Sequence, residues 1–376
     1  MPTFASVTFG CKVNQYESQA LREELLRRGY AEVPAGDRPD LYLVNTCTVT
    51  ETARKEAEKL VRSLSRGRPD ARFAITGCAA DSFPGIPGVR SVVPQAEKHR
   101  LPDLLDGGRT GEEGGGVFDL RISRFDGHTR AFVKVEDGCD LSCSFCIIPK
   151  VRGGPVSRPI PAVLDEIRRL LDHGHKEIVL TGVHLGAYGR DLERRPTIPD
   201  LVEAVLKLAV ARVRLSSIEV NEIEERLIDL LGAEPRRLCP HLHLPLQSGD
   251  EGILRAMRRR YSPRQFLAAC ERVAARVPDP SFTTDVIVGF PGETEERFER
   301  SVEICRRIGM SRIHVFPYSP RPGTEAAALP DDVPRSVKRA RLNRLKAEAS
   351  RLTQEFCRRF VGREVDVLVE EDPSTS

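Results

Sequence analysis

Along the first hundred residues, short apolar runs of strand length alternate with longer stretches of helical periodicity, which is the pattern of a parallel sheet wrapped in helices. The expected strands are 4–9, 41–44 and 72–75, and the expected crossover helices are 16–28 and 50–64. Each of these strands runs into a cysteine, in Gly10-Cys11, Asn45-Thr46-Cys47 and Thr76-Gly77-Cys78. In an open parallel sheet the carboxyl ends of the strands share one edge, where ligands bind, so three cysteines far apart in sequence are predicted to meet in space.

The alternation resumes after a break. Residues 106–116 read DGGRTGEEGGG, with no apolar side chain to bury, and place a flexible linker over 106–128 between a domain of residues 1–105 and one of residues 129–333. In the second domain the expected strands are 131–136, 177–181, 212–218, 241–246, 282–288 and 312–317, with amphipathic stretches between them. Six such units predict an α/β fold with a partial, open (βα)6 barrel whose site lies at the carboxyl ends of its strands. Those ends carry Thr181-Gly182, Ser217 to Glu219, Gln247-Ser248-Gly249 and Gly289-Phe290-Pro291-Gly292.

Residues 334–361 read as a helical extension holding nine basic side chains, opposed within the segment by Glu348 and Glu355 alone. The last residues, 362–376, begin GREVDVLVEED and read as one strand of an unfinished β domain. Net charge is only +3, so contact with a polyanion has to come from a local concentration such as this helix. The amino terminus carries no charged leader, and no run of about 18 apolar residues occurs anywhere, so the expectation is a cytoplasmic protein with no membrane partner.

In a reducing compartment ten cysteines point to metal binding or catalysis rather than disulfides. The sharpest local motif is Cys139-Asp-Leu-Ser-Cys143-Ser-Phe-Cys146, placed in the loop after the first barrel strand. Three thiolates on a four-iron cubane leave one iron open, which suits the amine and carboxylate of S-adenosylmethionine. Structural zinc is normally closed by four ligands, and no fourth partner lies nearby in sequence. Cys239, Cys270, Cys305 and Cys357 stand alone in apolar or helical stretches and read as buried side chains.

The C-x3-C-x2-C spacing with Phe145 before the third cysteine resembles the radical-SAM superfamily. The segments TFGCKVNQYES, LVNTCTVT and ITGCAA, with SSIE at 216–219, HLPLQSGDEGILRAMRRRY at 243–261 and DVIVGFPGETEERF at 285–298, resemble the methylthiotransferases within it. The resemblance implies two [4Fe-4S] clusters: an auxiliary one on Cys11, Cys47 and Cys78, and a radical-SAM one on Cys139, Cys143 and Cys146. It also implies that one S-adenosylmethionine methylates a sulfur on the auxiliary cluster, while a second is cleaved to a radical that takes hydrogen from carbon 2 of an adenine. The Cys11 loop, together with HKEIVLTGVHLGAYG at 175–189, resembles the branch acting on N6-threonylcarbamoyladenosine at position 37 of tRNA. The branches acting on isopentenyladenosine or on a ribosomal-protein aspartate remain open. By resemblance, reduced flavodoxin or ferredoxin is the electron donor, and residues 362–376 are the start of a truncated TRAM-like domain.

Because the cofactors carry the hard chemistry, no protein acid or base is expected. Phe145, Thr181, Gly182, His184, Glu219 and Gln247 are the candidates for contacting S-adenosylmethionine, and Arg152 is the candidate for a substrate carboxylate or phosphate. His241 and His243 flank an apolar strand and are expected to be packed or hydrogen-bonded there. A reading of another class is a non-catalytic, zinc-binding RNA-binding module that uses the same cysteines.

Overall fold

The computed structural model describes residues 1–370 except 49–50, 69, 84, 87 and 107–115. Five parallel strands form the first sheet: β1 (Thr3–Thr8), β2 (Ala31–Glu32), β3 (Leu41–Thr46), β4 (Arg72–Gly77) and β5 (Val89–Val92), in the order β2-β1-β3-β4-β5. Helices α1 (Lys12–Arg27), α2 (Glu51–Gly67) and α3 (Leu101–Leu105) connect or flank them. This order reverses direction between β1 and β3, where doubly wound sheets open a ligand crevice. Cys11 and Cys47 follow those two strands.

The second domain contains β6 (Arg130–Lys134), β7 (Glu136–Asp137), α4 (Ile148–Arg152), β8 (Val156–Ser157), α5 (Ile160–Asp172), β9 (Glu177–Thr181), α6 (Ile198–Leu206), β10 (Arg212–Leu215) and α7 (Glu225–Ala233). It continues through β11 (His241–His243), α8 (Glu251–Ala256), α9 (Pro263–Ala274), β12 (Ser281–Val288), α10 (Glu295–Ile308), β13 (Arg312–Pro317) and α11 (Arg335–Arg358). Two parallel three-stranded sheets, β10-β9-β6 and β11-β12-β13, are joined by the bridges Val213 to Leu238 and Ser217 to His243. The result is the expected six-stranded open barrel, with β7 and β8 forming a small antiparallel pair beside it.

Local sequence accounts for the helix boundaries. Ser262 and Gln265 form a reciprocal capping box at the start of α9, and Thr294 caps α10, each satisfying amides that a helix leaves without partners. In α5, Val163, Ile167 and Leu170 recur at helical spacing and are fully buried.

Helix α1 is the wall shared by both domains. Tyr16, Ala20 and Leu21 belong to the same apolar core as Ala131, Val133 and Val135 of the barrel. The linker expectation therefore needs correction. Residues 107–115 lie outside the described residues, but Leu120, Ile122 and Phe125 are buried, and the backbone amides of Ile122 and Ser123 donate to Glu166 and Glu23. These three apolar side chains, two and three residues apart along the chain, pin this stretch between α1 and α5.

Two expectations about the end of the chain also change. Residues 364–370 form no strand, and they run past the barrel with Asp366 near Arg236 and Glu370 on Arg130 at 2.5 Å; residues 371–376 lie outside the described residues. Helix α11 packs on β13 and α10, burying Leu345 and Leu352. Its cations are opposed by acids from elsewhere: Lys338 by Asp331, Arg341 by Glu293, Arg344 by Glu295 and Glu299, and Arg359 by Asp279. Among the described residues, Arg335, Arg339, Lys346 and Arg358 have no ion-pair partner.

Candidate functional site

The first three cysteines converge at the carboxyl edge of the first sheet. A Cβ on Gly10 would lie 2.7 Å from the Cys47 Sγ, so the Cys11 loop touches Cys47, and the Cys78 amide donates to the Thr46 carbonyl at 3.0 Å. Gly77 has φ +100°, and a Cβ there would meet the Thr46 carbonyl oxygen at 2.2 Å, so only glycine delivers Cys78 to this edge. Gly138 does the same for Cys139, with φ +85° and a hypothetical Cβ 2.0 Å from the Gly154 carbonyl oxygen.

The Cys143–Cys146 loop is held from outside the site. The Ser144 amide and hydroxyl donate to the Met257 and Ala256 carbonyls, the Ser144 carbonyl accepts from the Ala326 amide, and Phe145 packs against a cluster containing Met257, Phe290 and Tyr318.

Each triad has a buried guanidinium on one sulfur. Arg152 Nε points to Cys78 Sγ at 3.2 Å, and Arg259 Nη1 points to Cys143 Sγ at 3.2 Å. Burial raises the thiols of Cys78, Cys143 and Cys146, the last to about 12, and these two cations act in the opposite sense on Cys78 and Cys143. A third cation relates the two triads: Arg321, in the loop after β13, lies within electrostatic reach of both Cys47 and Cys146, while its Nη1 donates to Thr48 Oγ1 at 3.1 Å. Side chains of the barrel thus reach the first set of cysteines directly, Arg152 at Cys78 and Arg321 at Thr48, next to Cys47.

Arg152 was expected to meet a substrate, but its donors are engaged within the protein. Besides Cys78, it donates to Glu17 at 3.0 Å, Asp137 at 2.7 Å and Asn14 at 2.8 Å. Lys98 and Lys134 complete this buried network on Glu17 and Asp137, giving three cations to two carboxylates across the domain junction. Burial alone would raise the Glu17 carboxyl, but Arg152, Lys98 and Lys134 hold it well below the usual range. The sequence offered no signal for this lattice, because its members come from α1, β6, β7, α4 and the segment before α3.

The remaining candidates sort by what they touch. His184 is buried, its amide donating to Glu136 at 2.7 Å and its ring nitrogens facing Asp140 at 3.1 Å and Glu222 at 2.9 Å. Burial lowers its pKa, but Cys139 and Glu222 outweigh that and raise it to about 10, so it is a cation beside Cys139. Glu219 is paired with Arg259. Gln247 has φ 60°, an unusual conformation for a residue with a side chain, held by exchange of backbone hydrogen bonds with Asp285 and Ile287. Thr181 closes β9, and Gly182 lets the Glu136 carboxylate approach, since a Cβ would lie 2.6 Å from its Oε2. His241 and His243 are hydrogen-bonded to Thr283, as expected. Sequence reading missed Arg259, which lies inside the 243–261 segment, as well as Arg321 and Glu136.

The donor set fits iron–sulfur clusters better than zinc. Tetrahedral zinc with Zn–S bonds of ~2.3 Å needs sulfurs about 3.8 Å apart. Among the described residues, which include all ten cysteines, none is in a disulfide. Among the described residues, two groups of three or more His, Cys, Asp or Glu side chains bring ligand atoms within 4.8 Å of one another, Cys139 with Asp140 and His184, and His243 with Asp285 and His314, and neither contains two cysteines. Neither triad has its three sulfurs all within that 4.8 Å, as a single zinc ion would require, and both sit on strand-end loops.

An open parallel barrel with a three-cysteine loop at its mouth defines an enzyme of the radical-SAM class, and residues 133–305 match the radical SAM superfamily. Residues 3–85 match an uncharacterized protein family, UPF0004. The fold is similar to that of the radical S-adenosylmethionine methyltransferase TsrM from Kitasatospora setae, with TM-score 0.62 and 15% identity over 87% of this chain and 77% of that one. The chain is 38% identical to threonylcarbamoyladenosine tRNA methylthiotransferase MtaB of Thermotoga maritima, over 98% of this chain and 87% of that protein. It is 36% identical to the protein of the same name in Bacillus subtilis, over 99% and 85%. It is also 38% identical to tRNA-2-methylthio-N(6)-dimethylallyladenosine synthase of Cereibacter sphaeroides, over 96% and 86%. The chain belongs to the radical-SAM methylthiotransferase family.

Proposed function

We propose that this enzyme adds a methylthio group to carbon 2 of N6-threonylcarbamoyladenosine at position 37 of tRNA, consuming two molecules of S-adenosylmethionine. The observation that carries the reading is a pair of cysteine triads tied together by the barrel's own cations, Arg152 on Cys78 at 3.2 Å and Arg321 on Thr48, beside Cys47, at 3.1 Å. Relatives named for this base and one named for the dimethylallyl base are equally similar, at 36–38% identity, so the choice of base rests on the Cys11 loop and the 175–189 segment. Cys139, Cys143 and Cys146 would hold one [4Fe-4S] cluster, and Cys11, Cys47 and Cys78 a second. When bound, these groups and S-adenosylmethionine supply hydrogen abstraction at one triad and a sulfur-bearing iron at the other.

The protein's own part is position and charge. Arg152, Arg259 and the His184 imidazolium place positive charge against Cys78, Cys143 and Cys139, which stabilises anionic sulfur in a buried site. Gly182 lets the Glu136 side chain pack against the strand end at the barrel rim, where Thr181, Gln247 and the backbone at Phe145 would receive S-adenosylmethionine. Packing of the first domain against the barrel through the apolar side chains of α1 holds the two sets of cysteines in fixed relation. Reduced flavodoxin or ferredoxin would supply the electrons. No described helix is long and apolar enough to cross a membrane, in keeping with a cytoplasmic site of action.

Mass analysis of tRNA nucleosides from cells lacking the gene tests the reading. Loss of 2-methylthio-N6-threonylcarbamoyladenosine is the expected result. Loss of the isopentenyl analogue alone would reassign the enzyme to the other branch, and unchanged nucleosides would move its substrate off tRNA.

A further inference from the structure

The inner face of the half barrel is polar where a packed barrel would be apolar. Along β10 to β13 the side chains alternate: Val213, Leu242, Phe282 and Ile313 point outward into the core, while their neighbours Arg214, His241, Thr283 and His314 point inward and are only partly buried, or hydrogen-bonded to each other. Basic groups outnumber acidic ones on this face. Glu177 is shared by Arg214 at 2.8 Å, Arg212 at 3.1 Å and Arg130 at 3.8 Å, and Arg130 also pairs with Glu370 at 2.5 Å, so two carboxylates serve three guanidiniums. Asp285 is held by His243 at 3.3 Å. His241 keeps Nδ1 buried with no hydrogen-bond partner.

The first domain adds one more cation. Lys12, directly after Cys11, is solvent-accessible, has no hydrogen bond or ion pair among the described residues, and lies within electrostatic reach of Arg130, Arg214 and Asp285. The positive inner wall of the barrel thus starts beside the first cysteine triad.

We infer that this wall, centred on Lys12 and Arg214, binds a carboxylate carried on the N6 substituent of the substrate base and so sets the enzyme's choice of modified adenosine. The inference rests on the tRNA reading above. Spare guanidinium and ammonium donors match a carboxylate, with Arg214 offering a planar fork and Lys12 a point charge. An isoprenoid substituent would instead have to cover these donors without bonding them, which is the situation in which polar sites reject an analogue most strongly.

The test uses the anaerobically reconstituted holoenzyme and an anticodon stem-loop RNA whose position 37 carries N6-threonylcarbamoyladenosine as the free acid, its methyl ester, or N6-isopentenyladenosine. Equilibrium binding should favour the acid over the ester by about tenfold or more, the factor expected for a charge-assisted hydrogen bond. Arg214→Gln and, separately, Lys12→Met should erase that preference while leaving ester affinity and iron content unchanged. Equal binding of acid and ester by the wild type would overturn the inference, as would variants that weaken both alike. Should the acid-bearing tRNA still be converted, the proposed function survives that failure. Tightest binding and turnover of the isopentenyl RNA would sink the proposed function as well.

Discussion

Replacing Arg152 with methionine removes a cation from the junction of the two domains while keeping much of its side-chain volume. In the wild type its guanidinium serves Cys78, Glu17, Asp137 and Asn14 at 2.7–3.2 Å, the last three buried and Cys78 half-buried. Breaking a buried ion pair by deleting one partner costs about 3–5 kcal/mol. The lower end applies here, because Lys98 and Lys134 remain to oppose the two carboxylates. About 3 kcal/mol is a large share of a total stability near 5–15 kcal/mol, so urea denaturation of the cluster-free protein should show a clearly lowered midpoint.

After reconstitution the variant should also lose the site whose sulfur it served. Iron would fall from about eight per chain towards four, with the spectroscopic signature of the Cys139 cluster retained. Unchanged stability together with full iron would refute the idea that Arg152 is the electrostatic anchor of the first triad, and would leave it as a filler of space.

Further outcomes follow from other parts of the site. Gly138→Ala forces a left-handed alanine, at about 1–2 kcal/mol, and drives its Cβ into the Gly154 carbonyl, so iron analysis should show loss of the Cys139 cluster with the Cys11 cluster kept. Burial raises the Glu136 carboxyl to about 8. The folded state then holds a proton that the unfolded state releases near 4.5, so this group's contribution is present below that pH and is lost as pH rises to about 8. The upper bound is roughly 5 kcal/mol, and Glu136→Gln should flatten the fall in cluster-free stability measured by denaturation across that window. Binding of anticodon-stem RNA should weaken with salt, with a log–log slope near −0.7 per phosphate on single strands and −0.9 on duplex. Changing Arg339 and Lys346 to glutamine should make that slope shallower by about one phosphate contact each, and a slope that does not move would remove α11 from the interface.

Strand positions were legible in the sequence because burial imposes its own period. Expected strands 177–181 and 312–317 coincide with Glu177–Thr181 and Arg312–Pro317, and the apolar runs before Cys47 and Cys78 are β3 and β4. The short strand β5 was missed, since four residues carry too little pattern. The six cysteines were legible for a different reason: three lie within eight residues, and the other three each end a recognisable strand. The surroundings of those cysteines were not legible. Arg152 looked like an exposed arginine free for substrate, and only the packing of α1 against β6 revealed that Glu17 and Asp137 claim it.

Sequence alone determined where the chain turns and which cysteines end its strands or crowd one loop, since these follow from hydrophobic period and spacing, whereas the need for glycine before Cys78 and Cys139 comes from the carbonyls of Thr46 and Gly154, which only the fold brings near. Only the tertiary structure decided how charge is distributed. The basic stripe of α11 looked available for phosphates until acids of α10 were folded against it, and the inner faces of β10 to β13 gathered arginines and histidines that are scattered over a hundred residues. Coulomb interactions depend on separation in space, and residues such as Glu17 and Lys134, 117 positions apart in the chain, become neighbours only when two domains close on a shared helix.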